Sequence, residues 1–437
     1  MKLHGAGFIV SPEKAQELGL GTVQGLERHI LPYRNGRDLA ATPRGAMVID
    51  LFGLTVEDLR DRFPAVFQHV AENVRGEREA KVGGSKDMEA YARDWWLFGK
   101  VRQDLRQALE GLPRYIATIE TTKHRVFRFL DASIRPDNML VAIGLEDSAA
   151  MAVLSSRLHV HWALWAGGTL EDRPRYNKSR ILDPFPFPLL SEAAKAELSK
   201  LGDRLDSFRT ERIADVPGLT MTKLYNALER AREVETGAGA DPLSDAEKEL
   251  HSAAQVAVLK DLHDRIDRAV FDAYGWSDLA PRIVGKPGGL TPSLRKSPDQ
   301  EAAEEELLRR LVDLNKARVR DEARGDIHWL RPAFQKPRLA AKAPQPATER
   351  QVEAELAAAV APAEKIAWPK DGLEQIKVVR AALGDADAPI SVPDLDARFK
   401  GGRKRQDRLA DLLAYMSETG MIRAQEGDAG RRFFIPM

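Results

Sequence analysis

The 437-residue sequence has no cysteine, which excludes disulfides and thiolate metal sites and is compatible with a reducing cytoplasm. No apolar run approaches the roughly 18 residues of a membrane span, and Met1-Lys2-Leu3-His4-Gly5 carries no signal-peptide pattern. A cytoplasmic chain without membrane association is therefore expected. Excess charge is missing as well: 66 basic and 66 acidic side chains give a formal net charge of +0. That argues against a wholesale polyanion binder, yet a local basic face can be balanced by acidic helices elsewhere. The nine histidines are scattered. Only His159 and His161 are closely spaced, and on a helix they would point to opposite sides, so no metal site is expected.

Catalytic signatures are absent too. Gly5-Ala6-Gly7 and Gly19-Leu20-Gly21 are GxG pairs, but neither sits in a strand-loop-helix unit with an acidic residue about 20 positions further on. Neither reads as a cofactor loop. There is no P-loop, no recognisable nuclease signature and no Pro-Pro dipeptide. The last excludes the Asn/Asp-Pro-Pro-aromatic loop that holds a flipped adenine. Glu304 and Glu305 read as solvated charges. No catalytic residue, bound cofactor or metal is assigned to this chain.

What is present is a globular composition, 43% hydrophobic and 30% charged, and a length that suggests about three domains. Residues 1–72 alternate short strand candidates (Phe8-Ile9-Val10, Ala46 to Phe52) with helix starts at Ser11-Pro12 and Thr55. Asn35-Gly36 reads as a turn between Arg34 and Arg37, which could hold a phosphate. Residues 73–84 are polar and glycine-rich, a mobile loop by composition. Three strands follow, at 115–119, 126–130 and 139–143.

The tip between the first two strands, Glu120 to Arg125, is short and basic. Lys123, His124, Arg125 and, on the second strand, Arg128 are candidate groove or phosphate contacts; a solvated hairpin tip is the plain alternative. A helix-like apolar run from Met151 to Trp165 breaks at Gly167-Gly168 and feeds a second basic loop with Arg173, Arg175, Tyr176, Lys178 and Arg180. In the Pro-spaced tail, Phe185 and Phe187 either plug a core edge or offer a stacking surface for bases.

Residues 191–335 read as mostly helical, with Val256, Leu259, Leu262, Ile266, Val270 and Phe271 on one apolar face. Residues 336–368 are a linker holding one amphipathic helix at 349–360. Residues 369–437 show three helices and a two-stranded hairpin, a winged-helix pattern. Arg403, Lys404 and Arg405 lie at the start of its third helix, where a recognition helix meets DNA; protein-protein contact is the alternative role.

The ordered series Leu154-Ser155-Ser156, His159, Trp162, Arg175-Tyr176-Asn177-Lys178 and Asp183-Pro184-Phe185-Pro186 resembles the target-recognition region of MmeI-like adenine-N6 DNA methyltransferases. Those are the long chains of type IIL and related restriction-modification and phage-defence systems. The likeness runs from about Leu3 to about Pro188 and continues weakly through the helical segment. It implies an α+β fold: a mixed target-recognition domain with short sheets (1–72 and 73–190), then a helical spacer (191–335), and a winged-helix-like domain after the linker.

The resemblance also implies that Ser155, Ser156 and His159 belong to the recognition region, although helix capping or core hydrogen bonding fits these residues equally well. In that family the segments corresponding to Pro32 to Asp38 and Val48-Ile49-Asp50 follow the catalytic domain. The chain is thus expected to begin where the methyltransferase fold has ended. It would bind double-stranded DNA for a methyltransferase catalytic partner that carries S-adenosylmethionine. A non-catalytic regulator binding DNA through the winged helix, or a complete enzyme with an unrecognised site, are the alternatives.

Overall fold

The computed structural model describes residues 1–170, 173–237, 240–342, 366–369, 371–384, 390–400, 403–418, 421–427 and 430–434. They fall into two compact units, Met1–Arg338 and Leu339–Met437. The fold class is α+β.

In the first unit, β1 (Ile9–Val10) leads into α1 (Pro12–Glu17), whose Ser11 side chain accepts from the Lys14 backbone, with Pro12 in the first turn. Next come β2 (Ile30–Arg34), α2 (Gly36–Ala40), β3 (Met47–Ile49) and α3 (Val56–Arg62), the last opened by a Thr55/Asp58 capping box. The strands order as β1-β3-β2-β6, and β6 (Arg135–Pro136) pairs parallel to β2. Phe8, Val48, Ile49, Leu59 and Val66 fill the core against this sheet.

The stretch at 73–84, expected as a loop, is largely helix. After α4 (Pro64–Val70), a π turn (Ala71–Arg75) runs into α5 (Gly76–Glu79). The reason is Arg78, which is buried and donates to the backbone carbonyls of Leu3, His4, Tyr91, Trp95 and Leu97. A polar composition here conceals a side chain used as an internal clasp. The helix ends at Glu79, and the turn that follows includes Gly83 at φ 92°, which a residue with a Cβ resists.

After α6 (Lys86–Arg93) and α7 (Gln103–Leu109), the three expected strands form an antiparallel sheet, β5 (Phe127–Asp131) and β7 (Leu140–Ile143) flanking β4 (Arg114–Ile119). The apolar run that follows is two helices, α8 (Ser148–Ser155) and α9 (Arg157–Ala166). Ser156 makes the break: its hydroxyl donates to the Val153 carbonyl at 2.7 Å and caps α9. A hairpin of β8 (Gly168–Leu170) and β9 (Arg173–Arg175) and a π turn (Lys178–Leu182) follow.

The helical part comprises α10 (Glu192–Asp215), α11 (Met221–Glu235), α12 (Asp245–Ala253), α13 (Val256–Tyr274), α14 (Ala280–Ile283), α15 (Pro298–Ala323) and α16 (Pro332–Lys342). Every residue of the predicted apolar face on α13 is buried. Ile116, Phe127, Ile143, α8, α9 and helices α10 to α15 share one core, so position 190 is not a break in packing.

The joint is tight at Gly202 of α10, where an added Cβ would lie 2.2 Å from the Ser148 carbonyl oxygen. Alanine normally favours a helix interior by about 1 kcal/mol over glycine. Here the clash with backbone should reverse the sign, so Gly202→Ala is expected to destabilise by about 1–3 kcal/mol in urea unfolding. A stabilised variant would show that the two helices are free to separate.

The second unit contains helices Gly372–Gly384, Val392–Ala397 and Arg403–Glu418. Its antiparallel sheet orders β10 (Ile390–Ser391), β12 (Gly430–Phe434) and β11 (Arg423–Gly427). Val379, Leu395, Phe399, Leu409, Leu413 and Phe433 form its core. This order is compatible with a winged helix. The helix expected at 349–360 lies outside the described residues.

Candidate nucleic-acid interface

Two loops far apart in sequence are sewn together. Thr121 forms a β-bridge with Arg175, Thr122 N–H donates to the Pro174 carbonyl at 3.4 Å, and Tyr176 N–H donates to Glu120 at 2.7 Å. The β4–β5 tip and the β8–β9 hairpin therefore form one edge. The start of α2 joins it, because Gly36 lies against Ile119, with 3.3 Å between a built Cβ and that side chain.

Arg125 holds this edge from below. Its guanidinium donates to Thr118 Oγ1 at 3.1 Å, to the Pro174 carbonyl at 3.0 Å and to the Ile119 carbonyl, while its backbone N–H donates to Leu290 at 3.0 Å. It lies 5.0 Å from the centre of the Tyr176 ring. Burial brings the guanidinium down to about 10, still charged at neutral pH. Tyr176 and His159 share a buried hydrogen bond of 3.0 Å, and burial, with Arg125 second, lowers His159 to about 3. Phe127 and Phe185 close around them, the latter 4.4 Å from the His159 ring. Phe185 is thus a core plug.

This burial corrects the sequence reading at His124, Arg125 and Tyr176 and favours the capping or core role already open for Ser155, Ser156 and His159. His124, Arg125, Ser155, Ser156, His159 and Tyr176 are all buried, out of reach of a duplex in this conformation. His124 is paired with Asn226 at 2.8 Å, and Ser156 is the α9 cap. Arg128 is half-buried and spent on the Leu39 carbonyl and Thr210 Oγ1. Arg34 is half-buried and donates to the Tyr33 carbonyl. Asn35 is no free turn: its side chain and that of Asp38 form the capping box of α2. In the second unit Arg405 makes paired 2.9 Å bonds to Asp396 and a 2.7 Å bond to the Phe399 carbonyl. It joins two helices rather than facing outward. The side chains of Arg403 and Lys404 lie outside the described ones.

The exposed members are Arg37, Lys123, Arg173, Arg175, Lys178 and Arg180. Arg175 pairs with Glu120 at 2.6 Å and Lys178 with Asp183 at 2.6 Å; such exposed pairs are weak and exchangeable. Lys123 donates to Asn226 on α11 at 2.8 Å. Beside it opens a cleft of about 610 Å³ lined by Lys123, Lys223, Asn226, Arg230 and Arg295, with Glu229, Glu233 and Glu247 opposing them. Lys223, Arg230 and Arg295 escaped the sequence reading, which passed through 191–335 as helix. For Arg295 the signal was Lys286-Pro287-Gly288-Gly289 to Lys296-Ser297-Pro298, a Gly/Pro/Ser-rich basic stretch that marks a loop; Lys223 and Arg230 lie on α11, where the sequence offers no comparable mark. Among the described residues, no cluster of three or more His, Asp or Glu side chains could hold a metal, and no helix is long and apolar enough to cross a membrane.

Comparison with known proteins bears on the same region. Residues 2–189 match the family model of the MmeI target recognition domain. No curated protein matches the chain. Sixteen chains of solved structures do. One is the type IIL restriction-modification enzyme MmeI in complex with DNA, with a TM-score of 0.50, 17% identity, and coverage of 72% of this chain and 35% of that one. This chain therefore spans about a third of that enzyme. At such identity the likeness is one of fold, and it supports the resemblance read from the sequence.

Proposed function

Taking residues 2–189 as a target recognition domain of the MmeI type, we propose that this chain reads a short sequence in double-stranded DNA within a restriction-modification or phage-defence system. It would hold the duplex for an adenine-N6 methyltransferase partner, which supplies the S-adenosylmethionine and the chemistry. The observation that carries this reading is the joined edge. Cations from three separated segments, Arg37, Lys123 and the Arg173 to Arg180 loop, sit exposed on backbone fixed by the Thr121–Arg175 bridge and the buried Arg125. Rigid strands carrying long cationic side chains suit both phosphate contact and major-groove readout.

The test is selection of purified chain on random duplex DNA, followed by affinity measurements across salt. A motif of a few base pairs is expected. Arg175→Ala should cost about 1–3 kcal/mol on that motif if it reads a base. Lys178→Ala and Arg180→Ala should each lower the salt slope by about one and weaken all sequences alike. Retention without a motif, unaffected by these three changes, would refute the proposal.

A further inference from the structure

We propose that the loop between α14 and α15 is a DNA wedge, and that Leu294 at its tip enters the base stack beside the recognition edge. This rests on the DNA-binding reading above and adds a second contacting element from the helical part.

The stem of the loop is bolted to buried groups. The Arg157 guanidinium donates to the carbonyls of Lys286 and Pro287, Gln300 Nε2 donates to Pro287 at 2.8 Å, and Glu229 accepts from Gly288 N–H at 2.6 Å. Gly288 has φ 77°, a conformation only glycine adopts readily. Leu290 is buried, and its carbonyl accepts from Arg125 N–H, which ties the loop directly to the Lys123 hairpin. Ser293 Oγ accepts from Arg295 N–H at 3.1 Å, bending the tip.

From this fixed base Leu294 stands 103% exposed, whereas the next most exposed large hydrophobic side chain described is Leu189 at 62%. A connecting loop needs no buried charges in its stem, and a mobile one would let the leucine fold back onto apolar surface. Here the anchoring holds it out. Lys223, Arg230 and Arg295 line the cleft beside it together with Lys123; Arg230 is paired with Glu247 at 3.0 Å and Arg295 with Glu233 at 3.7 Å, partners that phosphates flanking an opened step would replace. A rigid apolar tip among cations, next to a groove-reading hairpin, is the arrangement by which proteins unstack a base step from the minor groove.

The experiment uses the full chain and its selected duplex, with 2-aminopurine substituted at successive positions. Wild type should raise the fluorescence several-fold at one step. Leu294→Ala, at a position with no packing to lose, should bring that signal back to the level of free DNA, with Kd rising by no more than about tenfold; Leu294→Phe should restore it. Motif binding by wild type with no fluorescence change at any step, or an unchanged signal in Leu294→Ala, would overturn the wedge and leave the recognition reading standing. Absence of DNA binding by wild type would overturn both.

Discussion

Acidification from about pH 6.5 to about pH 4.5 should remove at least about 2–3 kcal/mol of stability from the first unit, at about 1.4 kcal/mol per pH unit for a histidine that stays neutral throughout. His159 is fully enclosed, and burial first, with the Arg125 charge second, lowers it to about 3. Burial likewise lowers His263, with Arg232, Arg209 and Arg157 adding to it, and lowers His124. In the unfolded chain these rings take a proton near pH 6.5. The folded state takes one only at lower pH, so its stability is fully present above the unfolded value and is lost as pH falls toward the folded values. His159 alone accounts for about 2–3 kcal/mol over this window. The paired carboxylates Asp38 and Asp50 are held below their usual range, against the opposing effect of burial, by Arg44 and by Arg106 with Arg135, so their contribution is lost only at lower pH. Urea midpoints followed by tryptophan fluorescence across this range provide the check. His159→Gln should flatten part of the slope, and a midpoint constant from pH 6.5 to 4.5 would contradict the buried histidine core.

Features set by neighbours in sequence were legible. Ser11-Pro12 and Thr55 marked real helix starts, the three strands of the central sheet lie where alternation placed them, and the α13 stripe is the buried one. The Lys123 hairpin and the Arg173 to Arg180 segment were each legible as basic segments beside turn residues, but not their joining into one edge. What sequence does not carry is which polar side chains turn inward. Arg125 is held by carbonyls at Pro174 and, through its backbone, at Leu290, positions remote in the chain. Arg78 is the same case, a charged residue in a glycine-rich stretch that reaches carbonyls of Leu3 and Leu97. In both, a cation without a carboxylate partner satisfies backbone groups, and only the tertiary fold decides that. The Ser156 break was likewise hidden inside an apolar run that continues on both sides.

Arg157→Ala should cost about 3–5 kcal/mol, because it removes one partner from a buried set of charges and leaves the others uncompensated. Arg157 begins α9. Its backbone N–H donates to Asp267 at 2.7 Å, and its guanidinium lies 3.7 Å from Glu304 and 3.9 Å from Asp267. Arg232 pairs with Glu229 at 2.9 Å and approaches Asp264 at 3.6 Å; Lys260 meets Asp264 at 3.0 Å, and Lys296 meets Glu304. Four cations thus face four carboxylates where α9, α11, α13 and α15 converge. Taking away the first leaves Asp267, already pushed up by burial, with the backbone N–H of residue 157 but no facing guanidinium, and strips the Lys286 carbonyl of its donor, while Pro287 keeps Gln300. Arg157→Met separates the causes: it fills much of the space but supplies no charge, so it should remain nearly as unstable as the alanine variant. If methionine came within about 1 kcal/mol of wild type, the loss would be a cavity effect and the charge network incidental. Because the same guanidinium clamps the stem of the loop bearing Leu294, amide exchange at Gly288 and Leu290 should quicken in both variants, and the 2-aminopurine signal should fall with it, since a leucine on a loosened stem no longer stands fixed against the base stack.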